Sequence, residues 1–243
     1  YRLTSIADFV AEVQGDFYAR KATLEYEASA RYDEQLRTGV RCTRIGNSSL
    51  LLQCAVFRDD QRLVHGEMVY VFADPKTQTS QPVPAALREW FGAFERGEPM
   101  VDVRRGDWTA LAQFAAPIRR KVFTTEQGID AALDEDGADA DALHVVAFNR
   151  IGTPLGTGRL TRHGVHVGKI GRMAVVASLR GSTVGRQMLD ALVAAARQRG
   201  DRQVMLHAQA SAVGFYRRLG WQLQGPSFVE AGIEHQEMVL ALS

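Results

Sequence analysis

The sequence predicts a mixed architecture in two parts, an α+β half followed by an α/β half. Three observations carry this. Between Gly15 and Ala73 apolar and polar residues alternate in long runs joined by short polar turns, a period of two that belongs to antiparallel strands. From Lys169 to Gly200 the chain passes from a β-branched apolar run, through a glycine-bearing loop, into the stripe of an amphipathic helix. Gly97-Glu98-Pro99 breaks the pattern and reads as a linker, giving domains at 1–96 and 101–243.

In order, residues 4–14 carry a short helical pattern. Strands are expected over Phe17–Tyr26 and Leu36–Ile45, then, after the turn Gly46-Asn47-Ser48, over Ser49–Phe57. Asp59-Asp60 turns the chain and Leu63–Phe72 returns. Asp74-Pro75-Lys76 ends this meander, Pro82 and Pro84 break it further, and Ala85–Arg96 reads as a helix. In the second part Asp107–Ala116 has a helical cast. Ile118–Phe123 is basic and apolar and leads into Thr124-Thr125-Glu126-Gln127-Gly128. Ile170–Val176 is a buried strand. Val184, Met188, Leu192 and Ala196, with Leu189 and Val193 beside them, mark a helix that Gly200 stops. Val204–Ala208 is a further strand and Phe215–Trp221 a short helix.

The loop Arg180-Gly181-Ser182-Thr183-Val184-Gly185 has the physical features of an anion site. The first turn of a helix presents unpaired N–H groups and the positive end of its dipole. Gly181 and Gly185 leave the backbone open to a diphosphate, and Arg180 and Arg186 add positive charge. No Gly-Lys-Ser/Thr follows, so this is not a P-loop, and G-x-G-x-x-G is absent.

Composition excludes several classes. The 243 residues are 46% hydrophobic with a formal net charge of +1, so bulk charge argues for neither nucleic acid nor membrane as a partner. There is no run of eighteen apolar residues and no signal-peptide pattern in the sequence, which opens at Tyr1. Cys42 and Cys54 read as free thiols of a reducing compartment, so the expected location is cytoplasmic. No CxxC or HExxH occurs, and no metal is expected. The acidic run Asp134-Glu135-Asp136, with Asp139 and Asp141, fails the EF-hand spacing at Gly137 and reads as a solvated loop, with attraction of cationic acceptors as the alternative.

The motifs of the second part resemble those of the GNAT superfamily of N-acyltransferases. That family's CoA loop, Arg/Gln-x-x-Gly-x-Gly/Ala, falls here on Arg180, Thr183 and Gly185, with Thr183 in place of the first glycine. Phe215-Tyr216-Arg217-Arg218-Leu219-Gly220-Trp221 is similar to its Phe-Tyr-x-x-x-Gly-Phe segment. Val122-Phe123-x-x-Glu126-Gln127-Gly128, His144, Gly158-Arg159-Leu160 and Ala231-Gly232-Ile233-x-His235 are similar to one subgroup. The resemblance covers about residues 101–243 and implies a mixed-sheet fold, acetyl-CoA as cosubstrate and a small-molecule amine as acceptor. It implies that the backbone of Met173, Ala174 and Val175 pairs with the pantetheine arm, and that Arg180, Gly181, Ser182, Thr183, Val184, Gly185 and Arg186 hold the diphosphate. It also implies that Tyr216 protonates the departing thiolate. An unperturbed tyrosine, near pKa 10, stays protonated at neutral pH. For the base, Glu126, His207 and His235 compete: histidine titrates in the suitable range, and the family places Glu126 near the acceptor. Gln209 either orients substrate or caps its strand.

The first part resembles the hotdog-fold acyl-CoA thioesterases, through Ala19-Arg20-Lys21-Ala22-Thr23-Leu24-Glu25-Tyr26, Ala30-Arg31-Tyr32-Asp33 and Gly66-Glu67 to Val71-Phe72-Ala73-Asp74. The resemblance implies a partial hotdog antiparallel sheet, entered near the end of the central helix, and a homo-oligomer formed through this half. The family's acidic Asp-x-x-Gly-like motif is not found. Glu12, Asp16, Glu25 and Glu27 do not match it, so no thioesterase base is assigned. The expected function is acetyl-CoA-dependent N-acetyl transfer. A thioesterase with an accessory GNAT domain and a non-catalytic CoA-binding or dimerisation module are the alternatives.

Overall fold

The fold is that of a computed structural model, which describes residues 14–242. The helix expected over residues 4–14 and the carboxylate of Glu12 lie outside the described residues, save Gln14. The chain divides into two compact units between Met100 and Val101.

The first unit is a four-stranded antiparallel sheet of β1 (Asp16–Tyr26), β2 (Arg37–Ile45), β3 (Ser49–Arg58) and β4 (Gln61–Ala73), in the order β1-β4-β3-β2. Period-two alternation puts Leu50 and Phe72 on one face, where α1 (Ala85–Glu95) covers them with Leu87, Trp90 and Phe91. Phe17 packs its ring 5.1 Å from that of Phe72. Arg88 of α1 ties the helix to the β2–β3 turn by donating to the carbonyls of Gly46 (2.7 Å) and Asn47 (2.6 Å). The opposite face is polar, with Arg41 donating to Gln53 and Arg62 paired with Glu27. Cys42 and Cys54 are free thiols.

The second unit is a seven-stranded mixed sheet, β10-β11-β9-β8-β7-β6-β5. Its strands are β5 (Val101–Gly106), β6 (Leu143–Asn149), β7 (Pro154–Gly164), β8 (Val167–Val175), β9 (Gln203–Gln209), β10 (Gln222–Glu230) and β11 (Ile233–Ala241). All neighbours are antiparallel except β8 and β9. Their connection carries α4 (Val184–Arg199), as a parallel crossover requires. β6 is buried on both faces: Val145 and Ala147 pack into the core built around α4, and Val146 and Phe148 pack against α2 (Trp108–Arg119). Asp107 caps α2 by accepting from Ala110 N at 2.8 Å. Beyond Pro117, which has no N–H to give the ladder, the helix passes into a π-helical turn, Arg120–Glu126. That turn sets Val122 against Ala174 of β8. A short α3 (Ala131–Asp134) and, after β9, α5 (Val213–Arg218) complete the unit.

Candidate functional site

β8 and β9 pair only at Val167↔Gln203, Gly168↔Val204 and Lys169↔Met205. Beyond Lys169 they part, and β8 continues in register with β7 alone while β9 pairs with β11. The inner edges of both strands then face a cleft of about 550 Å³, lined by Gly171, Met173, His207, Gln209 and Tyr216 among others. An extra residue in β8 sharpens the parting. Two steps along β7, from Arg159 to Thr157, oppose three along β8, from Gly171 to Ala174. Inside this bulge Arg172 adopts φ +52°.

The charged groups around Arg172 correct one expectation. The acidic run is not a solvated loop. Arg119, with a side chain only 3% exposed, donates to Asp134 (2.9 Å) and Asp139 (2.8 Å). Arg159 binds Asp136 and Asp139, and Arg172 binds Asp134 and Asp136 at 2.9 Å each. Three guanidinium groups thus neutralise three carboxylates, Asp134 and Asp139 half-buried and Asp136 at the surface, while Glu135 and Asp141 are exposed. The Arg159 hydrogen bond is the chief reason the Asp136 carboxyl is held well below its usual range. Burial pushes Asp139 up, but Arg159 and Arg119 outweigh it and its pKa also falls. His144 is buried beneath, with Nε2 2.9 Å from Asp139 O and its pKa lowered by burial.

Tyr216 sits on α5 with 7% of its surface exposed, its ring edge-on to Phe215 and Trp221. Burial pushes its phenol up to about 12.

His207 enters the cleft from β9. Its Nδ1 lies 3.0 Å from a carboxylate oxygen of Glu230, and Nε2 is 3.9 Å from Glu237. An ionised carboxylate only accepts, so Nδ1 carries the proton and Nε2 is left with a free lone pair. Burial pushes Glu230 up, but the hydrogen bond and charge of His207 outweigh this and lower its pKa. Phe228 packs between His207 (4.8 Å) and His235 (6.0 Å), and His235 Nδ1 bonds to Ile233 O at 2.8 Å. Gln209 lines the cleft, and its amide pairs reciprocally with that of Gln127, at 3.0 and 3.4 Å.

The loop after β8 departs from a simple anion cradle. Arg180 donates from Nε to Val175 O (3.1 Å), and its terminal nitrogen is ion-paired with Glu126. Glu126 ends the π-helical turn and does not line the cleft, whereas its neighbours Phe123 and Gln127 do. Gly181 turns the chain at φ +78°. Ser182 donates to Leu179 O at 2.5 Å, and Thr183 accepts from Gln187 at 3.0 Å. α4 then starts at Val184 with no cap from the Thr183 side chain; the Val184 N–H makes a long bond to Ser182 Oγ at 3.4 Å, and the N–H groups of Gly185 and Arg186 follow in the first turn. A Cβ on Gly185 meets only ordinary contacts, at 3.7 Å from Val175 and 3.8 Å from Phe215, so packing does not demand glycine there. The arrangement therefore fits a diphosphate at the helix start and an extended thioester arm along β8. Arg186 points elsewhere, 3.6 Å from Asp190 on the same helix.

Sequence reading missed Glu230, Lys169, Arg172 and Phe228, all brought here by strand pairing. Among the described residues no group of side chains has metal-ligating geometry, and no helix is long and apolar enough to cross a membrane.

Comparison with known proteins agrees with this fold. A family model described as an acetyltransferase (GNAT) domain matches residues 111–242, and a thioesterase superfamily model matches residues 3–65. The chain is 33% identical over 123 residues to the uncharacterised N-acetyltransferase YjcF of Bacillus subtilis (strain 168), covering 50% of this chain and 86% of that one. An acyl-CoA N-acyltransferase from Pseudomonas aeruginosa is 28% identical, with a TM-score of 0.51 over 58% of this chain and 99% of that chain. ElaA of Escherichia coli shares the fold, at a TM-score of 0.52 and 24% identity over 58% of this chain and 99% of that chain. Through residues 111–242 this chain belongs to the GNAT acetyltransferases.

Proposed function

We propose that the second unit transfers an acetyl group from acetyl-CoA to the amine of a small molecule. The observation that carries this is the parting of β8 and β9 beyond Lys169, which turns the inner backbone edge of β8 toward a cleft walled by Tyr216 and His207. Acetyl-CoA supplies the activated acyl group as a thioester. Val184, Gly185 and Arg186 N–H groups, with Arg180, bind its diphosphate, and the backbone of Met173, Ala174 and Val175 holds the arm beside the acceptor.

His207 Nε2 takes the amine proton, while Glu230 keeps Nδ1 protonated and stabilises the imidazolium that forms. Glu237 beside Nε2 favours approach of a cationic amine. Tyr216 donates its hydroxyl to the departing thiolate. A phenol near 12 stays protonated but is a weaker acid than a thiol near 8.5. Its contribution is therefore a hydrogen bond that strengthens as charge develops on sulfur; the phenol keeps its proton, and CoA leaves as the thiolate.

The first unit supports association of copies. Its outer strands β1 and β2 are long and largely exposed, with Leu24, Tyr26 and Val40 open to solvent. The thioesterase likeness of residues 3–65 gives hydrolysis of acyl-CoA as the second reading.

The test is calorimetry with acetyl-CoA, followed by thiol release against a panel of polyamines, amino acids and amino sugars. Amine-dependent thiol release is the expected result. Absence of acetyl-CoA binding overturns the proposal, and amine-independent release moves the activity to the second reading.

A further inference from the structure

We infer that Glu126 is a positioning residue for the diphosphate loop, fixing the Arg180 guanidinium, and not the base that deprotonates the acceptor. The inference rests on the acetyl-CoA reading above. Its carboxylate is already engaged by Arg180. It stands at the end of the π-helical turn, beside residues that line the cleft, but is not itself part of the lining. The base position is filled from the other side of the sheet opening by His207, whose partner Glu230 leaves Nε2 free.

What the pair does follows from where Arg180 is anchored. Its Nε–H bonds Val175 O, the last carbonyl of β8, and one terminal nitrogen bonds Glu126. The guanidinium is thereby held between the end of the strand that receives the arm and the start of the helix that receives the diphosphate. A guanidinium has five N–H donors, so the others remain for phosphate oxygens. Arg180 is otherwise half exposed and free to sample many rotamers. Glu126 removes that freedom before the ligand arrives, so binding does not have to. The π-helical turn matters because it alone delivers residue 126 to residue 180, across 54 positions of sequence.

A double-mutant cycle on the full chain, read by calorimetry with acetyl-CoA and no amine present, tests this. Glu126→Ala should weaken acetyl-CoA roughly tenfold. Glu126→Gln should recover most of that loss, because the amide oxygen still accepts from Arg180 but takes no proton. Arg180→Ala should be at least as weak as Glu126→Ala, and the double variant no weaker than Arg180→Ala alone. Unchanged or tighter affinity in Glu126→Ala, or additive losses in the double variant, overturns the inference. Failure of Glu126→Gln to recover affinity while its melting temperature matches wild type does so too. Should Glu126→Ala not fold, Glu126→Ser replaces it in the cycle, with the same outcomes. No binding by wild type instead removes the acetyl-CoA reading, which keeps the two failures distinct.

Discussion

His207 and Glu230 are 23 residues apart in the chain and 3.0 Å apart in the fold, joined across β9, β11 and β10. In the proposed reaction, the contact decides which imidazole nitrogen is free to take the acceptor's proton. Glu230→Gln should lower turnover roughly tenfold, since the amide permits the other tautomer and stabilises imidazolium less. Acetyl-CoA affinity should stay within twofold. The pH sign follows from the depressed Glu230 pKa: the pairing is complete above the ordinary glutamate value and is lost as pH falls below it. Steady-state kinetics on both proteins check this, and unchanged turnover in the variant would remove Glu230 from the proton transfer.

Tyr216→Phe keeps the ring against Trp221 and Phe215 but removes the donor. Turnover should fall roughly 10²-fold with acetyl-CoA affinity nearly unchanged. A second readout separates a buried phenol from an exposed one. With a folded pKa of about 12 against about 10 unfolded, the wild-type unit loses stability as pH rises from 10 to 12. The phenylalanine variant should lose up to about 3 kcal/mol less over that range. Equal alkaline sensitivity of the two proteins in urea titrations would contradict the burial.

The arginine–aspartate network predicts an acid limit. Asp136 and Asp139 are both held below the ordinary aspartate value, so their stabilisation is full at neutral pH and is lost as pH falls below about 4. Arg119→Met leaves Asp134 and Asp139 without their buried partner and should cost about 3 kcal/mol at pH 7. The variant should lose less than wild type on acidification from pH 5 to 2. Denaturant titrations at several pH values measure both effects.

Gly171→Val tests the cleft itself. A Cβ at this position meets nothing within 4 Å, and the residue lines the opening beside the bulge. The fold should tolerate valine with little change in melting temperature, while acetyl-CoA binding weakens by an order of magnitude as the branch intrudes. Wild-type affinity in a well-folded variant would place the arm elsewhere.

Local pattern was enough for the elements whose chemistry is local. The strand into Val175, the loop at Gly181, the stripe of α4 and its stop at Gly200 (φ +88°) are all short-range features, set by periodicity and glycine conformation. So are the four strands of the first unit. The sequence reading assigned no element to β5, β6, β7, β10 or β11. β6 is apolar on both faces and so shows no alternation, and the exposed β10 lacks an apolar stripe. The π-helical turn was invisible because its register change has no side-chain signature beyond Pro117.

By itself, then, the sequence determined two halves, a helix-entry loop suited to phosphate, and Tyr216 within a recognisable segment. Only tertiary structure decided which groups are spent and which are free. It turned an apparently solvated acidic run into the partners of Arg119, Arg159 and Arg172, and gave Arg180 to Glu126. It also gave His207 a carboxylate. The reason is physical: an ionisable group's role depends on neighbours within a few ångströms, and here those neighbours come from strands and turns distant in the chain.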